Sequence, residues 1–165
     1  MKTYLVTGAA GFIGANFLKY ILAKHENINV IVLDSLTYAG NLGTIENNLQ
    51  DKRVKFEKID IRDKKEIDRI FSENTIDYVI NFAAESHVDR SIEDPEIFLL
   101  TNIIGTQNLL KKKKKYWTVG KTDDGYPIYR EGVKYLQVST DEVYGSLSKD
   151  YDDAKELVIT DEIVK

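Results

Sequence analysis

The chain contains no cysteine, which excludes disulfides, thiolate metal sites and cysteine nucleophiles together and fits a reducing compartment. No apolar run approaches the roughly 20 residues that a membrane-spanning helix needs. The start, Met1-Lys-Thr-Tyr-Leu-Val-Thr-Gly8, runs straight into a glycine turn, without the longer apolar core and small-residue cleavage site of a secretory signal. A cytoplasmic protein with no membrane partner is expected. Positive charge is in deficit, with 23 Lys and Arg against 27 Asp and Glu. The net charge of -4 argues against a nucleic-acid partner, which would call for an excess of cations to neutralise phosphates. No metal site is expected. What is present is ordinary for a globular chain, 42% hydrophobic and 30% charged, and 165 residues suffice for one domain spanning residues 1–165.

Apolar runs alternate with helical patterns from the first residues. Thr3 to Thr7, Val30 to Leu33, Val54 to Ile59, Tyr78 to Ala83 and Tyr135 to Ser139 read as strands. Between them, Phe12 to Lys24 reads as a helix with Phe12, Ile13, Phe17, Ile21 and Leu22 near one face. Leu42 to Leu49 suggests a short helix, and Asp63 to Ser72 another with Ile67, Ile70 and Phe71 at helical spacing. Pro95 can open a long helix carrying Phe98, Leu99, Ile103, Leu109 and Leu110. Strands separated by helices imply a parallel sheet covered on both faces, the doubly wound α/β fold. The lysine run Lys111 to Lys115 reads as a solvated helix end that complements the carbonyl end of the dipole. Trp117 to Gly132 reads as a polar surface insertion.

Gly8, Gly11 and Gly14 sit where the first strand meets the first helix. Glycines there let the backbone approach a pyrophosphate, while the helix amino terminus presents unpaired N–H groups and a partial positive charge. Their G-x-x-G-x-x-G spacing differs from the common G-x-G-x-x-G, and glycines also occur in plain turns. Asp34 closes the second strand. A carboxylate there can accept hydrogen bonds from ribose hydroxyls and would repel a 2′-phosphate, which favours NAD over NADP.

Five segments in order carry a resemblance to a known family. They are Thr7-Gly-Ala-Ala-Gly-Phe-Ile-Gly14, Asp34-Ser-Leu-Thr-Tyr-Ala-Gly-Asn41, Asp60-Ile61, Ala83-Ala-Glu-Ser-His-Val-Asp-Arg-Ser91 and Ser139-Thr-Asp-Glu-Val-Tyr-Gly145. Through them the chain resembles the extended short-chain dehydrogenase/reductase family and, within it, the dTDP-glucose 4,6-dehydratases. The resemblance implies a Rossmann-type fold and NAD lying along Gly8, Gly11, Phe12, Ile13, Gly14, Asp34, Ser35, Leu36, Thr37, Asp60, Ile61, Phe82, Ala83, Ala84 and Thr101. It implies a sugar nucleotide, dTDP-glucose, near Ser86, with His87 and Arg90 as supporting residues. A lone histidine is more often structural than catalytic, so His87 is not assigned to the chemistry, and His25 reads as an exposed helix-end residue.

The implied reaction oxidises the hexose at C4 with NAD, eliminates water across C5 and C6, and returns the hydride to C6. Elimination needs a base for the C5 proton and an acid for the departing hydroxyl, roles that adjacent carboxyls in different environments can divide. By resemblance, Glu142 is the base, Asp141 the acid, and Thr140 holds the sugar near C4. The family also uses a Tyr-x-x-x-Lys helix for the oxidation step. Tyr151 and Lys155 have that spacing but follow Tyr144 closely within an acidic stretch, and are not assigned the role. The chain is therefore expected to be an amino-terminal portion with little turnover of its own, its sheet truncated after about five strands and its substrate domain absent. Full-length relatives are expected to be roughly twice as long and homodimeric. Two alternatives stay open: a non-catalytic NAD-binding module, and a sugar-nucleotide epimerase or decarboxylase, which would not be expected to carry the Asp141-Glu142 pair.

Overall fold

A strand buried on both faces sends consecutive apolar side chains into opposite layers, and the architecture follows from where such runs occur. The computed structural model describes residues 1–140 and 143. It begins with β1 (Lys2–Thr7), α1 (Phe12–Lys24), β2 (Ile28–Asp34), a 3-10 turn (Leu42–Thr44), α2 (Glu46–Leu49) and β3 (Val54–Lys58). Next come α3 (Lys64–Glu73), β4 (Tyr78–Asn81), α4 (Val88–Glu93), α5 (Pro95–Phe98), a π-helical segment (Leu99–Gly105) and α6 (Thr106–Trp117). A hairpin of β5 (Thr118–Lys121) and β6 (Pro127–Tyr129) precedes β7 (Lys134–Gln137).

The main sheet has five parallel strands in the order β3-β2-β1-β4-β7. This is the doubly wound, Rossmann-type order, and its direction reverses between β1 and β4, where open α/β sheets leave a crevice at the carboxyl ends. Leu5, Ile31, Leu33 and Val79 face one layer, packing with Ile67, Ile70 and Phe71 of α3 and with Leu109 and Trp117 of α6. Their neighbours Val6, Val30, Val32 and Ile80 face the other, against Ala15, Leu18, Ile21 and Leu22 of α1. Among the described residues no helix is long and apolar enough to cross a membrane.

Several elements differ from their sequence reading. Phe12 and Ile13 are 83% and 61% exposed, so α1 turns its first two apolar residues away from the core. Leu42 to Leu49 splits around fully buried Ile45 into a 3-10 turn and a single helical turn. The helix from Pro95 is interrupted by the π segment, where a Cβ on Gly105 would lie 2.6 Å from Ile61 Cγ1. Trp117 belongs to α6 rather than to a polar insertion: it is buried, and its Nε1 donates to the Ile76 carbonyl at 2.8 Å. The insertion is the β5–β6 hairpin. The lysine run is engaged rather than merely solvated. Lys112 and Lys115 pair with Asp68 of α3 at 2.7 and 3.1 Å, and Lys113 lies 4.6 Å from the Tyr129 ring centre.

Candidate functional site

The turn from β1 into α1 has no space for a side chain at Gly8 or Gly14, while Ala9 and Ala10 between them tuck small side chains into the core. Gly8 takes a φ of +66°, and a Cβ there would stand 2.6 Å from Ala83 N. A Cβ on Gly14 would lie 2.7 Å from Ala9 Cα and collide with the Gly8 carbonyl oxygen. Among the described residues no side chain caps α1 at Gly11, and no acidic residue occupies its first turn, so its positive end is open to an external anion.

Asp34 organises the neighbouring wall. Its Oδ2 accepts from Ala10 N at 2.9 Å and its Oδ1 from Leu36 N at 2.8 Å, tying β2 to the glycine turn. The second bond holds Leu36 in a left-handed conformation, φ 54°. The loop then folds back, with Asn41 N donating to Ala10 O at 3.1 Å, and Gly40 lies so close that its Cβ would be 2.7 Å from Asp34 Oδ1. At the end of β3, Arg62 forks onto Asp60, with Nε 3.0 and 2.9 Å from the two carboxylate oxygens. Burial raises the Asp60 pKa, but the Arg62 fork and backbone N–H outweigh it and hold the carboxyl below its ordinary range.

Beyond β4, Ala83 N donates to Thr7 Oγ1 at 3.3 Å and Phe82 packs on Phe17. The π segment enters here: Asn102 clamps Glu85 by accepting from its N–H and donating to its carbonyl, both at 2.8 Å. Beneath this floor the Thr7 hydroxyl donates to Asn81 Oδ1, and Asn81 Nδ2 donates to Gln137 Oε1 at 2.9 Å. Tyr135 donates to the same oxygen at 2.8 Å, and burial pushes its phenol up to about 12. This polar chain laces β1, β4 and β7 together where the sheet meets the crevice.

These walls enclose a cavity of about 500 Å³. Gly8, Gly11, Phe12, Ile13, Gly14, Asp34, Ser35, Thr37, Asp60, Ile61, Phe82, Ala83, Ala84, Ser86 and Thr101 all line it. Leu36 lies outside the lining and acts through its backbone. Thr140 is exposed and also outside the lining, although Val138 reaches it. Asp141 and Glu142, like Tyr151 and Lys155, lie outside the described residues. The sequence reading missed Arg62, Glu85, Gly40 and Asn102. Arg62 had a local signal, standing two residues after Asp60, where the Asp side chain can accept its backbone N–H. The Asn102 clamp spans 17 positions and leaves no local trace.

The profile of the GDP-mannose 4,6 dehydratase family matches residues 5–157. The chain belongs to this family. The dTDP-glucose 4,6-dehydratase of Xanthomonas campestris pv. campestris is 46% identical over 149 residues, covering 90% of this chain and 40% of that protein. The chain thus spans about 40% of the length of the curated relatives it matches. Among solved structures, dTDP-glucose 4,6-dehydratase from Bacillus anthracis in complex with NAD superposes with a TM-score of 0.72 at 38% identity. That match covers 91% of this chain and 41% of that one. The Streptomyces venezuelae enzyme with NAD bound gives 0.74 at 41% identity, over 90% and 42% of the two chains.

Proposed function

We propose that residues 1–165 form the NAD-binding domain of a dTDP-glucose 4,6-dehydratase of deoxysugar biosynthesis. The observation that carries this reading is the tight, uncapped glycine turn, closed to a Cβ at Gly8 and Gly14, beside Asp34 in one cavity. That cradle fits a dinucleotide: the turn receives the pyrophosphate, and Asp34 faces the ribose hydroxyls and repels a 2′-phosphate. Asp60, Ile61, Phe82, Ala83, Ala84 and Thr101 form the rest of the bed. NAD supplies a hydride acceptor when bound.

Ser86, from the segment after β4, and Thr140, beyond β7, hold the sugar nucleotide in this reading, with dTDP-glucose as substrate. Glu142 removes the C5 proton and Asp141 protonates the departing C6 hydroxyl, so that water leaves and a double bond forms between those carbons. The test has two stages. Calorimetry should find NAD bound by the chain and NADP at least about tenfold weaker, since one unfavourable charge contact of about 1.4 kcal/mol suffices. Formation of the 4-keto-6-deoxy product by the protein containing this segment should fall steeply in Glu142→Gln and Asp141→Asn. Undiminished turnover in both variants would overturn the assignment.

A further inference from the structure

Two walls of the cavity come from segments far apart in sequence: the loop after β2, with Thr37, Ala39 and Gly40, and the stretch from Glu85 through α4. Their side chains meet at one place. The Arg90 guanidinium lies over the Tyr38 ring, 4.3 Å from its centre, and the His87 ring meets the same tyrosine edge-on at 6.3 Å. On its other side Arg90 Nε stands 3.8 Å from Glu85 Oε2, a carboxylate oxygen that accepts no hydrogen bond among the described residues. The Glu85 side chain is 7% exposed, and its backbone is pinned by Asn102 through both N–H and carbonyl. Arg90 thus stands between a backbone-pinned, buried anion at ion-pair distance and the face of an aromatic ring carried by the opposite wall.

We infer that Glu85, Arg90 and Tyr38 form a clasp joining the two walls, and that a bound dinucleotide leaves only when the Arg90–Tyr38 contact opens. These are positioning residues: they act on the cofactor by holding the loop after β2 against α4. The clasp rests on the reading of the cavity as a dinucleotide site. It also suits that reading's chemistry, because a hydride taken and returned within one cycle leaves the nucleotide unchanged, with no need to exchange it. A guanidinium offers the ring a broader and more weakly hydrated contact than a lysine ammonium, which would keep the charge and lose much of that contact.

The test follows release of NADH from the full chain by its fluorescence, after chasing with excess NAD. Tyr38 and Arg90 are both partly exposed, so their contact is of the modest kind, and Tyr38→Ala or Arg90→Ala should each speed release roughly two- to five-fold. Tyr38→Phe keeps the ring and should restore slow release, while Arg90→Lys should not. The double variant Tyr38→Ala/Arg90→Ala should release no faster than the quicker single variant, because both remove one contact. The melting temperature of the ligand-free chain should move by no more than a few degrees in the Tyr38 variants and Arg90→Lys, whereas Arg90→Ala, which strips the buried Glu85 carboxylate of its cation, should lower it further. Strictly additive effects, release unchanged in both alanine variants, or Tyr38→Phe behaving as Tyr38→Ala would overturn the clasp while leaving the nucleotide site standing. Failure of the unaltered chain to bind NADH or NAD would instead overturn the dinucleotide reading, and the clasp with it.

Discussion

At Gly14 an added methyl group would sit 2.7 Å from Ala9 Cα and against the Gly8 carbonyl, so Gly14→Ala has to push the glycine turn away from α1. The expected result is a stability loss of about 1–3 kcal/mol, read by urea unfolding, and at least roughly tenfold weaker NAD binding by calorimetry. Asp77 is a second residue with a definite sign. Burial raises its pKa, but the Thr3 backbone N–H, Arg130 and Lys2 together lower it below the ordinary value. A carboxyl depressed in the folded state contributes stability that is present above its unfolded pKa and lost as pH falls through the folded one. Asp77→Asn should therefore cost about 1–3 kcal/mol at neutral pH, and the gap to the unaltered chain should close as pH drops below about 4. A constant gap down to acid would contradict that account. Gly14 was legible in the sequence because its requirement is local, a strand–turn–helix junction with no room. Asp77 was not, because its partners lie 74 to 75 positions upstream and 53 downstream, and only the folded sheet gathers them.

Elements were legible where the apolar period was clean and illegible where tertiary contacts bend them. β1 and β2 follow their patterns, each sending alternate side chains into the two core layers, and α1 follows its own beyond the exposed Phe12 and Ile13. The π segment had no such signal: its apolar residues continue the helical run, and the interruption coincides with Gly105 pressing on Ile61 and Asn102 reaching to Glu85. Asn102→Ala should remove both bonds to Glu85 at a cost of about 1–2 kcal/mol. Backbone amides of residues 83–86 should then exchange with deuterium faster than those of β1. Unaltered exchange there would mean that the segment is held by something other than Asn102. The lysine run was half legible. Its position near the end of α6 was apparent, but its pairing with Asp68 of α3 was not; that contact draws the Asp68 carboxyl down to about 2, with Lys112 the main cause.

For the whole molecule, binding to the folded state alone raises stability by about 2.7 kcal/mol at a ligand concentration a hundred times the dissociation constant. For a chain of this size that is a rise in melting temperature of roughly 5–10 °C with NAD, and NADP at the same concentration should give little of it. Asp34→Ala should abolish the difference between the two nucleotides, measured by differential scanning fluorimetry. The doubly wound sheet was legible because its alternation of strands and helices admits few other topologies, whereas the end of the site beyond Thr140 rests on the Ser139-to-Gly145 segment alone. The β5–β6 hairpin opens a different use of the molecule. Arg130 anchors it to Asp77 at the amino end of β4, so roughly 20 Å of six-residue β1 separates it from the nucleotide cavity. Among the described residues nothing lies within 4 Å of a Cβ added at its tip, Gly125. In a chain without a single thiol, Asp124→Cys would create a unique attachment point, so a dye or surface tether placed there should report on or immobilise the protein with its nucleotide affinity unchanged.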